Sequence, residues 1–412
     1  MRETERSGRP LRAFFIFRPI FSLNLNPEHM MKFSQQFFSN SFFEQDNDRL
    51  ELTDLARKSC LIHQDAAGLY SWMSLGLRAQ RRVESIVREE MDRAGFCEMQ
   101  MSLLQDADLW RQSGRIDVYG DELMRLTNRT GRLFCLGATC EELATNMVKT
   151  HYNKTDMSVG LYQFGNKYRD ELRTRGGLAR AKEFIMKDAY TFNATEEGAR
   201  KAYEAVREAY IRIFRRLQLD VVIKSSDNGE IGGRSSEEFH VFSELGEDET
   251  DGRKSLECAH IFDLGDRYSK AMGLVNAKGE FVKMGCFGVG ISRLAMLLLN
   301  RQRDERGFWG SESFNTFDVV LTVIDWDRQA HQEAAEAMRR DLQARGLSVL
   351  VDDRQAQAGK KLADAELIAC RQRVVIGKNA IASGRFEWMN RRTMARATAT
   401  AGEVADLCAR QL

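Results

Sequence analysis

The stretch from Leu161 to Tyr190, LYQFGNKYRDELRTRGGLARAKEFIMKDAY, constrains the fold most. It reads as a strand, a polar glycine-bearing loop and a second strand, which commits the chain to an antiparallel hairpin. Arg169 and Glu171 are two residues apart, so continued strand geometry places them on one face. Arg180 and Phe184 follow on the return in an R-x-x-x-F pattern. An arginine fork holds phosphate and an aromatic face accepts a purine, so the hairpin is a candidate nucleotide site. A charged, solvated hairpin is the alternative that these residues alone leave open.

The chain has 412 residues, enough for two or three domains with proper cores. Its 61 basic and 60 acidic residues nearly cancel, so any nucleic-acid contact is a local patch. Eight cysteines form no C-x-x-C pair and read as reduced packing thiols of an intracellular protein. No apolar run is long enough to cross a membrane. Proline is anomalous. Pro10, Pro19 and Pro27 are the only three, and none follows to Leu412. At an average usage of about 5%, roughly nineteen would be expected there. Residues 1–29 also hold five arginines. They read either as a targeting segment or as upstream sequence before a start at Met30 or Met31, and the proline boundary favours the second.

Further along, a helix is expected around 48–59. A long amphipathic helix follows within 68–95, facing either a partner subunit or its own core. A strand is expected at 98–104. LFCLGATCEELATNMV, 133–148, predicts a strand, a turn and a helix in which Thr139 caps and Glu142 completes a capping box. A helix at 196–218 and a strand at 220–224 come next. Glu237, Glu238 and His240 follow a tight turn, where acids either hold magnesium or stand exposed. His260 sits in an apolar strand, as core histidines do. The run MGCFGVGISRLAMLLL, 284–299, brings glycines into an apolar helix carrying Arg293, which needs an anionic partner if buried. It does not have the dinucleotide-fold spacing. After a linker at 310–315, strands and helices alternate, predicting a separate α/β domain with a mixed sheet.

These residues together resemble the bacterial-type prolyl-tRNA synthetases, class II aminoacyl-tRNA synthetases, from about Met31 onward. The helix and strand within 68–102 resemble motif 1, the dimer interface. YRDE at 168–171 with RAKEF at 180–184 resembles motif 2, and GCFGVGISR at 285–293 resembles motif 3. LGATCEE is similar to the proline-recognition loop, AHIFDLGDRYS to another active-site stretch, and DDRQAQAGKKLADAELI to the anticodon-binding domain.

The resemblance implies an α+β fold: a six-stranded antiparallel catalytic sheet with helices over 30–309, and an α/β anticodon-binding domain over 316–412. It implies that ATP activates L-proline as prolyl-adenylate, which is then transferred to tRNA(Pro), in a cytoplasmic homodimer with Mg2+ (or a mitochondrial one, if residues 1–29 are a transit peptide). Arg169 would bridge the α-phosphate and the proline carboxylate, Glu171 would meet the adenine amine, and Phe184 would stack on the ring. Arg180 joins the ATP site, and Arg293 would meet the γ-phosphate. Thr139 and Glu141 would hold the proline ammonium, while His260, Phe262 and Cys286 shape the ring pocket. Glu238 is the candidate for magnesium, and Arg354, Asp364 and Glu366 for reading anticodon bases.

The chain departs from that family at several places. Only 249–256 stands where many members carry an editing domain. Cys140 replaces a usual His, Ala259 a usual Gly and Glu237 a usual His. Ser74, Ser102, Asp106, Ala138, Thr174, Ala358 and Arg371 stand where proline is usual. Two other readings follow from these departures: a paralogue that senses an amino acid, or one that activates a proline analogue for biosynthesis. A proline-free backup or resistance enzyme is the reading that the missing prolines suggest.

Overall fold

The structure is a computed structural model that describes residues 31–36, 50–152 and 157–410. The leader reading falls outside the described residues. At the centre lie the expected hairpin strands, Ser158–Tyr168 and Glu183–Asn193, paired in register from Ser158–Asn193 to Tyr168–Glu183. Antiparallel pairing continues through Lys283–Gly290, Arg253–Gly265 and Ser235–Phe242 to Val221–Ser226. These six strands are the predicted antiparallel sheet. Two short strands extend it to eight: Cys97–Glu98, parallel to the first hairpin strand, and Asp248–Thr250.

Helices cover one face of the sheet. Ser74–Arg93 packs on Glu196–Arg216 and on Ile291–Arg301. Leu75, Val83, Val87 and Met91 recur at helical spacing and are all buried, so the amphipathic stripe faces the chain's own core. The strand expected at 98–104 is instead two short pieces, Cys97–Glu98 and Leu104–Asp106. The second belongs to a small sheet with Leu133–Leu136 and Arg125–Thr127. Glu237, Glu238 and His240 follow the turn at 229–231, as expected, and lie within the strand Ser235–Phe242.

The helix at 133–148 differs from its prediction. It starts at Glu141, Cys140 holds the cap position, and no side chain caps it. The Thr139 hydroxyl turns instead to the Glu141 carboxylate at 2.6 Å, and Glu142 turns to Arg115. A buried cation outbids the capping box for both acids.

The C-terminal sheet runs Val349–Asp352, Val319–Val323, Gln372–Ile376, Arg385–Asn390 and Arg396–Thr400. The first three strands are parallel and the last two antiparallel, the mixed sheet expected. This part is tied firmly to the rest. Phe314 and Phe317 are buried in the main core, and Arg391 grips Asp304 with two bonds of 2.6 and 2.8 Å. Residues 31–36 also cross over: Lys32 bridges to Val351, and Phe33 is buried beneath the Arg354 guanidinium at 3.8 Å.

One helix start carries a measurable defect. Ser74 is the first residue of its helix, after Met73 in extended conformation (φ −81°, ψ 168°). Its Oγ is buried with no partner. Proline suits this position, since the first amide has no intrahelical acceptor and the preceding residue is already extended. Ser74→Pro should therefore stabilise the chain by about 0.4–1 kcal/mol through the unfolded state. Urea unfolding would read this as a raised midpoint at constant m.

Candidate active site

Strand register assembles the site. Glu238 pairs with His260, His260 with Gly288, Gly288 with Asp188, and Asp188 with Gln163, one row across five strands. Phe262, Cys286 and Tyr190 form the row two residues on, so they share that face. Gly288 lines the floor of the cleft. The cleft above measures about 280 Å³. From the hairpin, Arg169, Glu171, Arg180 and Phe184 line it. Thr139, His260, Phe262, Cys286 and Arg293 complete the wall.

One end is cationic. The strand stops at Tyr168, so Arg169 and Glu171 are not on one strand face but in the turn beyond it. That turn frees them to point along the cleft. Glu171 accepts from Arg173 N at 2.9 Å and from Arg180 Nε at 2.9 Å, and Arg180 also pairs with Glu247. Burial pushes the Glu171 carboxyl up, but the Arg180 bond leaves it below its ordinary range. Arg293 is half-buried at the first turn of its helix, not sealed in the core. It donates to Ala179 O at 2.9 Å and to Glu257 O at 2.7 Å. Arg169 is different. Among the described residues, its guanidinium lies 5.5 Å from the Phe184 ring centre, its one hydrogen bond is a 3.5 Å contact to Ala138 O, and its Nε is buried without a partner. The half-buried guanidinium thus lines the cleft with donors to spare, as a site for an anion does.

The other end is acidic. Glu141, Glu142 and Arg115 are all fully buried. Arg115 Nη1 reaches Glu141 Oε2 at 2.9 Å and Glu142 Oε1 at 3.0 Å. Thr139 Oγ1 and Cys286 Sγ also donate to Glu141, at 2.6 and 3.0 Å. Burial raises the Glu141 carboxyl, yet Arg115 and these donors leave it below its usual range. Glu142 is left raised by burial. Two carboxylates thus face one guanidinium, and the excess charge adjoins the Thr139 wall of the cleft. The loop that presents Thr139 depends on Gly137, where a Cβ would stand 2.5 Å from Gln105 Nε2. That amide holds the Thr139 carbonyl at 3.0 Å.

Beneath Thr139, the Tyr190 hydroxyl accepts from Cys140 N at 2.9 Å and donates to Asp188 at 2.8 Å. Lys167 pairs with Asp188 at 2.8 Å. Burial pushes the Cys140 thiol up to about 12, so it stays protonated within this network. Glu237, one of the departures, faces away from the cleft and pairs with Arg207 at 3.0 Å.

Glu238 does not line the cleft. It is held by His240 at 2.7 Å and by Ser226, and despite burial these bonds bring it down to about 2. Glu257 lines the cleft beside Arg293. Donor atoms of Glu238, Glu257 and His260 lie within 4.8 Å of one another, a group with the hard oxygens that magnesium requires. The His260 ring stacks on Phe262 at 3.9 Å, which makes it a wall of the cleft.

The C-terminal candidates lie apart from this site. Arg354 is held by Asp352 at 2.8 Å and by Asp364 at 2.7 Å, and Glu366 meets Arg373 at 3.2 Å. All three are engaged within the fold. Sequence reasoning missed Arg115, Asp188, Tyr190 and Glu257. For two of them a signal existed: Asp188 and Tyr190 are two apart on one strand and so share a face.

Comparison with known proteins agrees with this geometry. Residues 124–302 match the tRNA synthetase class II core domain (G, H, P, S and T), and residues 318–411 match the anticodon binding domain. A proline–tRNA ligase of a Caulobacter species is 37% identical over 85% of this chain and 92% of its own length. Those of Rhizobium leguminosarum and Anaplasma marginale are 34% and 36% identical, over 84% and 80% of this chain and 92% and 88% of theirs. In fold, the chain is similar to prolyl-tRNA synthetase from Cryptosporidium parvum, with a TM-score of 0.74 at 15% identity over 87% of this chain and 77% of that one. The arginine-bearing hairpin, the glycine strand leading to Arg293 and the closing anticodon-binding sheet therefore have one common source: the chain belongs to the proline–tRNA ligase family of class II tRNA synthetases.

Proposed function

We propose that the chain uses ATP to activate L-proline as prolyl-adenylate and transfers the prolyl group to tRNA(Pro). The observation that carries this is Arg169, which lines the cleft beside Phe184, Arg180 and Arg293 with its buried Nε unmet among the described residues. Arg169 bridges the α-phosphate and the proline carboxylate, holding nucleophile and electrophile together. Phe184 stacks on adenine, Glu171 meets the adenine amine, and Arg180 orders Glu171. Arg293 meets the γ-phosphate. Thr139 and Glu141 hold the proline ammonium, whose charge offsets the excess carboxylate, and His260, Phe262 and Cys286 bound the ring. Proximity and fixed dipoles supply the rate, since no protein nucleophile is needed.

Glu257, with Glu238 behind it, suits magnesium, which when bound neutralises phosphate oxygens. The catalytic part spans 30–309 and the tRNA-reading part 316–412, with 310–315 joining them. Their engaged side chains argue against Arg354 and Asp364 meeting bases unless the fold opens. A homodimer is supported by the apolar outer face of the small sheet, where Leu104 is 43% and Leu126 38% exposed. No helix among the described residues is long and apolar enough to cross a membrane, which is consistent with a cytoplasmic enzyme. The 249–256 segment is a tight hairpin turning at Asp251 and Gly252, so an editing domain has no place there.

Amino-acid-dependent ATP–pyrophosphate exchange over a panel including proline, alanine and proline analogues, followed by tRNA charging, tests the proposal. Proline-selective exchange with charging is expected. Exchange without charging would identify a carrier-type activating enzyme, and no exchange an amino-acid sensor.

A further inference from the structure

Among the described residues, at least seven helices begin in a geometry suited to proline, and none uses it. A proline is accepted at the first helical residue when the residue before it is extended. Glu51 (φ −58°, ψ 152°), Met73 (−81°, 168°) and Asp106 (−68°, 125°) meet that condition. Gln357 (−59°, 144°) and Thr400 (−63°, 162°) do as well. The positions that follow are Leu52, Ser74, Ala107, Ala358 and Ala401. At Ser74 the residue used leaves a buried hydroxyl without a partner, which proline would not. The fold therefore does not exclude proline. Glycine, the other turn residue, is present in ordinary number at 31. What is missing from Glu28 to Leu412 is one amino acid, at positions where its geometry is welcome.

We propose that this body is kept free of proline so that the ligase can be made when prolyl-tRNA is exhausted. The inference rests on the ligation activity proposed above. The product of that reaction is consumed wherever a ribosome meets a proline codon. A ligase containing proline cannot be replenished once its own product is gone. A proline-free body breaks that dependence, and the new enzyme then supplies prolyl-tRNA to every other chain. Pro10, Pro19 and Pro27 all precede Met30 and Met31. Synthesis beginning at either methionine draws on no prolyl-tRNA.

The test is cell-free translation of the native message, first codon included, in an extract stripped of its resident proline ligase and of prolyl-tRNA. A second template carries Ser74→Pro and Ala358→Pro. A third reaction receives the purified protein and a message for a proline-containing reporter. The native template should yield full-length product beginning at Met30 or Met31, in the amount seen in a replete extract. The doubly substituted template should stall, and the purified protein should restore the reporter. If the native template stalls as well, or its product begins only at Met1, the inference fails while reporter rescue keeps the ligation reading. If the purified protein fails to restore the reporter, the ligation reading falls and the inference with it. Other proteins of the same genome equally empty of proline would also overturn it.

Discussion

Arg169→Gln is expected to lower proline-dependent ATP–pyrophosphate exchange by about 10²–10³-fold, the loss usual for one donor aimed at developing charge. Stability should stay within about 0.5 kcal/mol of the parent, as for a substitution that breaks no folded-state pairing. The asymmetry follows from what this side chain touches. Among the described residues it makes no ion pair, its sole hydrogen bond is long, and its Nε is buried and unmet. The folded chain gains little from it, and a phosphate or carboxylate gains much. Arg169→Lys keeps the charge but not the planar fork, so it should recover only part of the rate. Arg180 is the contrasting case, since its pairing with Glu171 and Glu247 makes its removal a change to the pocket as well as to charge. Exchange measured beside urea unfolding separates the two. Parental exchange rates in Arg169→Gln would remove Arg169 from the chemistry.

The hairpin, the glycine strand and the alternating C-terminal domain were legible in the sequence because each is a local pattern: apolar period, turn residue, reversal. Arg169, Glu171, Arg180 and Phe184 were legible as a group for the same reason, lying within one hairpin. Their geometry was not. The strand ends a residue before Arg169, and no propensity marks that end. Arg115 was invisible. It lies in a four-residue helix, Arg115–Val118, whose polar text reads as surface, and only tertiary packing buries it against Glu141 and Glu142. The same ion pairs explain the misread capping box, since Thr139 and Glu142 satisfied a local rule that a distant cation overrode. Nor did the sequence show that Arg354 and Asp364, the first before and the second within the helix Ala358–Leu367, pair with each other. Cross-strand rows such as Glu238, His260, Gly288, Asp188 and Gln163 need a register that spans five separate segments.

Arg115→Met should cost about 3–5 kcal/mol, the penalty for removing one partner of a buried ionic cluster. Its pH dependence identifies the cause. In the parent, Arg115 holds the folded Glu141 carboxyl below its unfolded value. That contribution is present above the unfolded pKa and is lost as pH falls through the folded one. Without Arg115 the largest opposing influence on the buried Glu141 carboxyl is gone, with only the Thr139 and Cys286 donors left to offset burial, so Glu141 moves upward toward the raised side where Glu142 already stands. A raised carboxyl contributes stability below its unfolded pKa of about 4.3 and loses it as pH rises through the folded value. The variant's deficit should therefore grow as pH rises from about 4, near that unfolded value, to neutral. Urea unfolding at both ends of that range reads the difference directly. A deficit independent of pH would show that lost packing against Trp110, Tyr119 and Tyr268, and not stranded charge, is responsible. Adding Glu142→Gln should recover part of the loss at neutral pH by removing one stranded carboxylate. It should not restore the KM for proline, because Glu141 still lacks the Arg115 contact that holds its carboxylate beside Thr139.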